Sequence, residues 1–462
     1  DLLTVQERAL LRRVAIFASG WTLPAAEAVC ADGVLPAPEL FELHASLVDK
    51  SLVVADVGAQ TTRYRLLEST RAYGRERLAE AGEYDAVARR LAAWGVEFAD
   101  GMYEQLWNTP IARWLADVEP ERENLRAALT WCLDAGHDGL LGARIAGSLS
   151  GLWSLGGLRE EGRRAIEDAL AQLEPDAHPG VEGRLWRGLA GLSVARRQVE
   201  AAQRAIALFE HSMNRAELAD TYRQLSTGLF DMDRMQEAEA ASRRALELYR
   251  EAGRSGTRRY AITMQGLAGI LLRLGRVDQA RETLMAGVWV PENLRDTAAA
   301  TLMSLGELEF SEGHAALALA HCNEAAAIGA ALRDQRIQAA AACNAAGYHL
   351  ALAQYDEARA CGAESLELSA RGLDERLCTV AMLHLAAVAA ERGDARRGAL
   401  LLGYTDAWFS KEHCAYEFTE QRSRDAARAR LRTALHEETA AALEAYGRAL
   451  TQAQALAEAR AV

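Results

Sequence analysis

Lysine, proline and closely paired cysteine are scarce in this chain of 462 residues, and each shortage excludes a class of protein. The only lysines are Lys50 and Lys411, and neither stands in a GxxxxGK[ST] loop, whose lysine reaches the phosphates of a bound nucleotide. We therefore expect no nucleotide hydrolysis by this chain. The 7 cysteines include no CxxC pair, which favours a reduced, cytoplasmic protein over a secreted one. With only 8 prolines, long helices can run uninterrupted.

Long apolar runs and excess positive charge are also missing. No uninterrupted apolar stretch approaches the ~18 residues that a membrane span needs, and no secretory leader opens the chain. The formal net charge is −13 at pH 7, so we expect no direct DNA contact, because phosphate contacts require a basic face. The first residue is Asp1 and not Met, which leads us to expect a fragment of a longer protein.

Residues 1–85 have the pattern of a winged helix. Thr4 and Glu7 form a capping box before the first apolar stripe, and Pro24 lies in the first turn of a second helix. Two alternating segments around Gly58 then predict a β-hairpin. The third helix should bury five apolar side chains, at Leu40, Phe41, Leu43, Leu47 and Val48.

The rest of the chain divides into a helical connector (86–138), a repetitive region (139–412) and a tail of capping helices (413–462). The repetitive region contains small-residue pairs at intervals of 36 to 42 residues, which begin at Leu149, Leu189, Leu225, Leu267, Leu305, Ala345 and Leu385. Eight residues later comes a turn, clearest at Gly157, Gly275, Gly313 and Gly393.

A small residue also recurs thirteen positions after each start, at Gly162, Ala202, Ala238, Ala280, Ala318, Ala358 and Gly398. A bulky side chain there would push paired helices apart, so the pattern predicts stacked helical hairpins. These units resemble seven tetratricopeptide repeats of about 40 residues. The expected fold is all-α, with a tetratricopeptide-like α-α superhelix preceded by a small winged-helix domain that has one β-hairpin.

Several segments together resemble one family. These segments are ERALLRRVAIFASGWTLPAAEAVC, LVDKSLV, RYRLLESTRAYGRERLAEAGE, ERENLRAALTW and LLGYTDAWF. They are similar to the carboxy-terminal half of bacterial STAND-class ATPase transcription regulators, which include LuxR-type and antibiotic-regulator-type members. The resemblance implies that a nucleotide-binding domain, which would bind ATP or ADP, precedes Asp1 in the full-length protein and is a partner of this chain. No cofactor is implied for the chain itself.

The corner after the hairpin has two interpretations. In the family that the chain resembles, a Met-His-Asp motif after the last strand of the wing reports on the bound nucleotide. The matching positions are Leu66, Leu67 and Glu68, so leucine replaces the histidine and an acid is kept. The resemblance therefore implies that Glu68 senses the state of the nucleotide domain. Alternatively, Glu68 and Thr70 only cap the following helix.

The inner face of the repeats is the predicted binding surface. Its early part carries charge, at Arg144, Arg184, Arg187, Asp220, Arg223 and Thr227. Its later part is more apolar, at Ile262, Gln265, Met303, Glu307, Phe310, Cys343, Leu350 and Leu383. Such a groove would suit an amphiphilic small molecule or an extended peptide. The alternative is that the arginines are solvated and the apolar side chains pack on neighbouring helices.

No pattern points to catalysis or to a metal. Cys322, Cys343, Cys361 and Cys378 lie in successive helices without ligand spacing, which favours core packing. The third helix of the winged domain is acidic, which disfavours DNA recognition.

Two functions remain. The first is a signal-sensing fragment of a transcription regulator, which couples an effector or partner in the repeats to the winged helix. The second is a scaffold whose repeats hold a partner polypeptide.

Overall fold

A computed structural model describes residues 2–57, 61–134, 137–175, 177–210, 214–288, 291–372, 374–411 and 416–462. The chain forms two compact units, Asp1–Ser255 and Gly256–Val462. As expected, the fold is helical apart from one antiparallel hairpin.

The first unit opens with three helices, a hairpin and a fourth helix. They are α1 (Val5–Val14), α2 (Leu23–Cys30), α3 (Leu40–Asp49), β1 (Val54–Val57), β2 (Thr62–Arg65) and α4 (Glu68–Glu80). The capping box is confirmed, because Glu7 N donates to the Thr4 hydroxyl over 3.1 Å and Thr4 N donates to the Glu7 carboxylate over 2.6 Å. Gly58, on which the hairpin prediction centred, lies outside the described residues.

The third helix buries the predicted stripe with one exception, since four of the five predicted side chains pack in or against the core. Phe41 is 56% exposed, which contradicts the prediction, whereas Leu40 and Leu47 are fully buried. The third member of the buried stripe is His44, whose Nε2 accepts a hydrogen bond from Trp21 Nε1 over 3.0 Å. Residues 40, 44 and 47 share one helix face, and Phe41 lies about 100° away from Leu40 around the axis.

Three helices connect the winged domain to the helix pairs of the first unit: α5 (Tyr84–Gln105), α6 (Ile111–Val118) and α7 (Arg122–Leu133). Trp107 and Trp114 are buried beside them, and Trp114 Nε1 donates to the Met102 carbonyl over 2.6 Å. Helix α5 contacts α2 and α4 on one side and α7 and α8 on the other. It therefore joins the winged domain to the first helix pair.

Seven helix pairs follow, and the first helix of the first pair is divided in two. The first unit contains α8 (Gly139–Ser148) with α9 (Ser150–Leu155) and α10 (Arg159–Gln172), α11 (Pro179–Leu192) with α12 (Ala195–Phe209), and α13 (Arg215–Asp231) with α14 (Met235–Glu251). The second unit contains α15 (Arg258–Arg273) with α16 (Val277–Val288), α17 (Arg295–Ser311) with α18 (Ala315–Leu332), α19 (Gln335–Ala351) with α20 (Tyr355–Gly372), and α21 (Glu375–Glu391) with α22 (Ala395–Lys411).

Small residues allow the paired helices to approach closely. Each of the seven small residues predicted at the close contact is buried. At Gly162, a Cβ atom would lie 2.6 Å from the indole ring of Trp153, so even alanine would require that ring to move. The spacing visible in the sequence therefore corresponds to real helix contacts.

The turns inside the pairs need a left-handed residue. The four predicted turn glycines all have positive φ, between +73° and +95°. Asp233 (+59°) and Ala353 (+56°) take this conformation at two equivalent positions. In the second pair the positive φ is at Ala195, two residues before the expected position, because α11 ends early at Leu192.

Helix α18 is the one described helix that is long and apolar enough, by length and composition, to cross a membrane. Its mean hydropathy is 1.3, and 28% of the segment is buried. It packs between α17 and α19, as other second helices pack between their neighbours. Its length and apolar composition are therefore weak evidence for a membrane span.

Three helices close the second unit: α23 (Phe418–Ala434), α24 (Glu437–Arg448) and α25 (Gln452–Arg460). Helix α24 packs on α22, where the backbones touch at two glycines. A Cβ atom at Gly403 would lie 2.2 Å from the Glu444 carbonyl oxygen, and one at Gly447 would lie 2.1 Å from the Leu400 carbonyl oxygen. Helix α23 also contacts α22, and in addition it reaches α17, α19 and α21.

The close-contact positions can be tested by enlarging one of them. Ala238 is fully buried against α13, whereas Ala240 on the same helix is exposed. We expect Ala238→Leu to destabilise the protein by about 1–3 kcal/mol, because the larger side chain separates α13 from α14. Ala240→Leu should change the stability by less than about 0.5 kcal/mol. Thermal denaturation of both variants gives the measurement, and equal melting temperatures would contradict the assignment.

Candidate functional site

The corner after the hairpin exposes Glu68 to solvent. Leu67 precedes α4 as its N-cap and no side-chain hydrogen bond caps this helix, so the prediction of side-chain caps at Glu68 and Thr70 is wrong, whereas the predicted place of Glu68 at the positive end of the helix is confirmed. The Glu68 side chain is 82% exposed and pairs with Arg71, which lowers the pKa of the carboxyl. Glu68 lies in the first turn of α4, where a negative charge is favourable. Sensing of a nucleotide domain by Glu68 stays a prediction.

The arginines around this corner bind groups of the chain itself. Arg71 and Arg75 donate to backbone carbonyls at the end of α1 and just beyond it. Arg63 of β2 pairs with the buried carboxylate of Glu121 and donates to the Gly20 carbonyl over 3.0 Å. These contacts fix the wing and α4 to α1 and to the connector, so the positive charge near the wing serves the internal structure.

Side chains at the end of α5 form hydrogen bonds with a network of charged side chains in the first unit. Asp100 accepts hydrogen bonds from Arg184 Nη1 over 2.8 Å and from the Ser148 hydroxyl over 2.6 Å. The Tyr103 hydroxyl, one turn further along, donates to Glu217 over 3.1 Å and contacts the Arg187 guanidinium. Residues of α5 thereby contact side chains of α8, α11 and α13, the first helices of three successive pairs.

Arg187 is the centre of this network. Its side chain is 2% exposed and lies 3.2 Å from Glu217 and 3.1 Å from Asp220. Its guanidinium also stacks over the ring of Tyr103, with 4.4 Å to the centroid. Arg187 and Asp220 were predicted to line an open groove, but in this structure both are buried in contacts with the chain's own residues. A buried arginine requires such partners, because an unpaired buried charge is costly.

Arg144 and Arg184 remain accessible beside the network. They line a cleft of about 480 Å³ together with Asp100, Glu217, Val181 and Phe209. The Arg144 side chain is 45% exposed, and its guanidinium lies 3.4 Å from Asp100. The cleft thus combines two arginines, the two carboxylates that pair with them, and apolar side chains, and ligand binding there stays a prediction.

The other early positions are more peripheral. Arg223 Nε donates to Asp220 over 2.9 Å, and the exposed Thr227 donates its hydroxyl to the Arg223 carbonyl over 3.2 Å. In the second unit, Gln265 donates to the Thr301 hydroxyl over 2.7 Å, and Met303 packs half-buried against a core cluster.

Helix α23 covers two of the later positions, Glu307 and Phe310. The Glu307 carboxylate accepts hydrogen bonds from the backbone N–H of Thr419, over 2.9 Å, and from the Thr419 hydroxyl. Burial raises the pKa of Glu307. Phe310 is 1% exposed and lies in contact with Phe418, with 5.8 Å between the ring centroids. The face that was expected to receive a ligand is therefore occupied here by a helix of the same chain.

The cysteines of the second unit behave as small core residues. Burial raises the pKa of Cys322 to about 12, so its thiol stays protonated and is a poor metal ligand or nucleophile. Cys343 is fully buried, and burial raises its pKa as well. Among the residues that the structure describes, no group of three or more His, Cys, Asp or Glu side chains is arranged to hold a metal ion.

The sequence reasoning missed the residues that contact these positions. Asp100 and Tyr103 lie on α5, and Thr419, Glu420 and Ser423 lie on α23. Each of the two sets consists of polar residues on one face of an amphipathic helix, and this pattern is visible in the sequence. Their partners are distant in the sequence, so no local pattern identified them.

Comparison with known proteins supports the domain types. A winged helix-turn-helix domain model matches residues 3–79, and a tetratricopeptide repeat model matches residues 217–286. A Mycobacterium tuberculosis protein provisionally named as an HTH-type transcriptional regulator is 40% identical over 156 residues, which are 33% of this chain and 17% of that protein. A second, uncharacterized M. tuberculosis protein is 46% identical over 90 residues, which are 19% of this chain and 23% of that protein.

One solved structure shares the fold over most of the chain. It is a Signal Transduction ATPase with Numerous Domains (STAND) protein with a tetratricopeptide repeat sensor, from Pyrococcus horikoshii. The TM-score is 0.54 at 14% identity, over 96% of this chain and 66% of that one.

The resemblance predicted from the sequence is thus confirmed. The chain combines a winged helix-turn-helix domain with tetratricopeptide repeats, neither of which is a catalytic domain type, and it is homologous over a third of its length to a bacterial regulator.

Proposed function

We propose that this chain is the signal-receiving part of a bacterial, cytoplasmic transcription regulator. An effector or partner binds the repeats and changes the position of the winged helix. The winged helix in turn holds or releases a nucleotide-binding domain of the same full-length protein, which carries ATP or ADP. DNA is bound elsewhere in that protein.

Helix α5 is the observation that carries this proposal. It has 22 residues and is about 33 Å long, and it contacts both the winged domain and the repeats. At its start, Glu83 pairs with Arg12 (2.6 Å) and Arg13 (2.8 Å) of α1, and Arg90 donates to the Val29 carbonyl at the end of α2 (2.6 Å). At its end, Asp100 and Tyr103 join the charge network. One rigid element thus links the proposed signal site to the winged helix.

The cleft at Arg144 and Arg184 suits an anion with an apolar part. A carboxylate or phosphate group placed there would compete with Asp100 for both guanidinium groups. Its apolar part would lie against Val181 and Phe209. Binding would therefore weaken the attachment of α5 to the repeats, and the ligand's differential affinity for the released state sets the size of the response.

The alternative function is a scaffold that holds a partner polypeptide. Tetratricopeptide repeats provide long surfaces for this purpose. The observation that favours it lies in the second unit, where three first helices accept another helix, α23.

Effector binding can be tested in the cleft. We expect a thermal-shift screen of anionic metabolites to give a hit whose affinity falls at least about tenfold in Arg144→Ala, since the charge-assisted contact is lost. Arg196→Ala is the matched control, because Arg196 is 83% exposed on α12 outside the cleft. A screen without hits, or a hit that binds both variants equally well, would count against the site.

Coupling through α5 can be tested without a ligand. Asp100→Ala removes the contacts that a bound anion would displace, so we expect faster hydrogen exchange in α1 and α2, which contact the start of α5. Asp117→Ala is the control, because Asp117 is equally exposed (35%) and pairs only within α6, with Arg113. If exchange in Asp100→Ala rises only near residues 100 and 184, α5 does not transmit the change.

A further inference from the structure

Helix α23 lies on a face where repeat proteins bind their partners. It contacts α17, α19 and α21, the first helices of three consecutive pairs in the second unit. The position beside α22, where another repeat would begin, belongs to α24. Helix α23 therefore departs from the stacking order and occupies the inner face of these three helices, which we call the α23 groove.

Helix α22 contacts the middle of α23 and the residue Tyr416, which precedes α23. Asp406 of α22 accepts hydrogen bonds from Arg424 (2.7 Å), Arg428 (2.5 Å) and the Tyr416 hydroxyl (2.7 Å). Helix α24, which follows directly, is held on α22 by the glycine contacts described above. A partner can thus displace α23 without unfolding α24.

The contact between α23 and its groove has an apolar part, in which Ala427 and Leu431 join the core of the second unit, and a polar part that is geometrically specific. Thr419, Glu420 and Ser423 are each at most 4% exposed. They pair with side chains of two helices: Thr419 with Glu307 of α17, Glu420 with Arg376 of α21 (3.1 Å), and the Ser423 hydroxyl with His384 Nδ1 of α21 (2.9 Å). Thr419 also packs on a third helix, α19. Hydrogen bonds that replace water contacts gain little net free energy, so such a contact selects its occupant and remains exchangeable.

Helix α19 is shaped for this occupant. A Cβ atom at Gly347 would lie 2.3 Å from the Thr419 methyl group, so glycine is required for the helix to seat at this depth. The Thr-Glu-x-x-Ser spacing places the three side chains within an arc of about 100° around the helix axis, with Ser423 one turn after Thr419 and Glu420 at the edge of the arc. A helix fits these partners, whereas an extended peptide would send successive side chains to opposite sides.

We propose that the α23 groove is a helix-binding site, that α23 is its internal occupant, and that an amphipathic helix of a partner protein with the same Thr-Glu-x-x-Ser face replaces α23. The polar half of that helix would meet Glu307, Arg376 and His384, and its apolar half would take the places of Ala427 and Leu431, which are buried. The site lies in the second unit, so it does not depend on the effector cleft at Arg144.

The groove contacts also give a pH dependence. The charged groups that face Glu420 are Arg376 of α21, Glu307 of α17 and Glu417 at the start of α23, and Cys343 of α19 is near. Burial raises the pKa of Glu420 to about 7, so docking of α23 weakens as the pH rises through that value. Burial lowers the pKa of His384 to about 4. Docking of α23 therefore also weakens as the pH falls through the usual histidine pKa of about 6.5 toward 4.

Between pH 6.5 and 8 the Glu420 effect is the larger one, although His384 still opposes it near pH 6.5 and the raised pKa of Glu307 acts in the same direction as that of Glu420. We expect opening of α23 to increase roughly twofold over this range, because a roughly fourfold increase from Glu420 is opposed by a roughly twofold decrease from His384, and we expect Glu420→Gln to remove the increase. Hydrogen exchange of α23, corrected for intrinsic rates, measures the opening. A pH profile unchanged by Glu420→Gln would show that this carboxyl does not control docking.

The decisive experiment adds the occupant in trans. A fluorescent peptide of residues 416–434 is titrated into the native chain and into Arg424→Ala/Arg428→Ala, which loses both arginine contacts with Asp406 but keeps the groove. We expect at least about tenfold tighter binding to the double variant, because the internal helix competes less for the site. A peptide with Thr419→Ala and Ser423→Ala should bind at least about tenfold more weakly.

Two glycine variants show whether the peptide uses this groove. In the double-variant background, Gly347→Leu should abolish binding, whereas Gly269→Leu should not, because a Cβ atom at Gly269 meets nothing within 4 Å. Equal binding by both overturns the proposal. Dimerisation of the double variant without peptide binding also overturns it, since it would show exchange of α23 between two copies.

Hydrogen exchange of the native chain provides a test that needs no variant. We expect α23 to exchange at least about tenfold faster than α24, because only α23 opens from its seat while α24 stays docked. Equal protection of the two helices would mean that α23 is a permanent part of the fold and would overturn the proposal.

Discussion

The architecture depends on the close approach of two helices at one small residue in each pair. Gly162, Ala238 and Gly398 are buried at this position, and a larger side chain would separate the helices. The spacing of the pairs and the alignment of their first helices both follow from this contact. Because the first helices of successive pairs are neighbours, they form continuous inner faces within each unit, and these faces accept α5 in the first unit and α23 in the second.

Both inner faces use polar contacts with the helix that covers them. Arg187 is buried with Glu217, Asp220 and Tyr103, and Glu307 is buried with Thr419. A buried ion pair contributes little net stability, but removing one partner leaves a costly unpaired charge. Such contacts therefore define which helix fits and at what position. They also leave the covering helix replaceable by a group that offers the same hydrogen bonds.

Local and periodic features could be predicted from the sequence. The capping box at Thr4, the turn glycines and the small residues at the helix contacts each depend on residues close in the chain or on a visible repeat. The buried side of α3 was misjudged at Phe41, because a buried histidine, His44, completes the stripe through its hydrogen bond with Trp21. The partners of Arg187 and Glu307 were not predictable, since they come from helices 84 and 112 residues away.

Because the inner faces are occupied by groups of the same chain, ligand binding here differs from binding to an open groove. The inner-face positions of the repeats identify a surface, but not whether the surface is free. In this structure Asp100 binds Arg184, and α23 binds Glu307, so an external ligand must displace a group of the same chain. The apparent affinity is then reduced by the fraction of molecules in which that group has left. In the proposed mechanism the same competition moves α5 or α23 when a ligand binds, so that displacement converts binding at the repeats into a conformational signal.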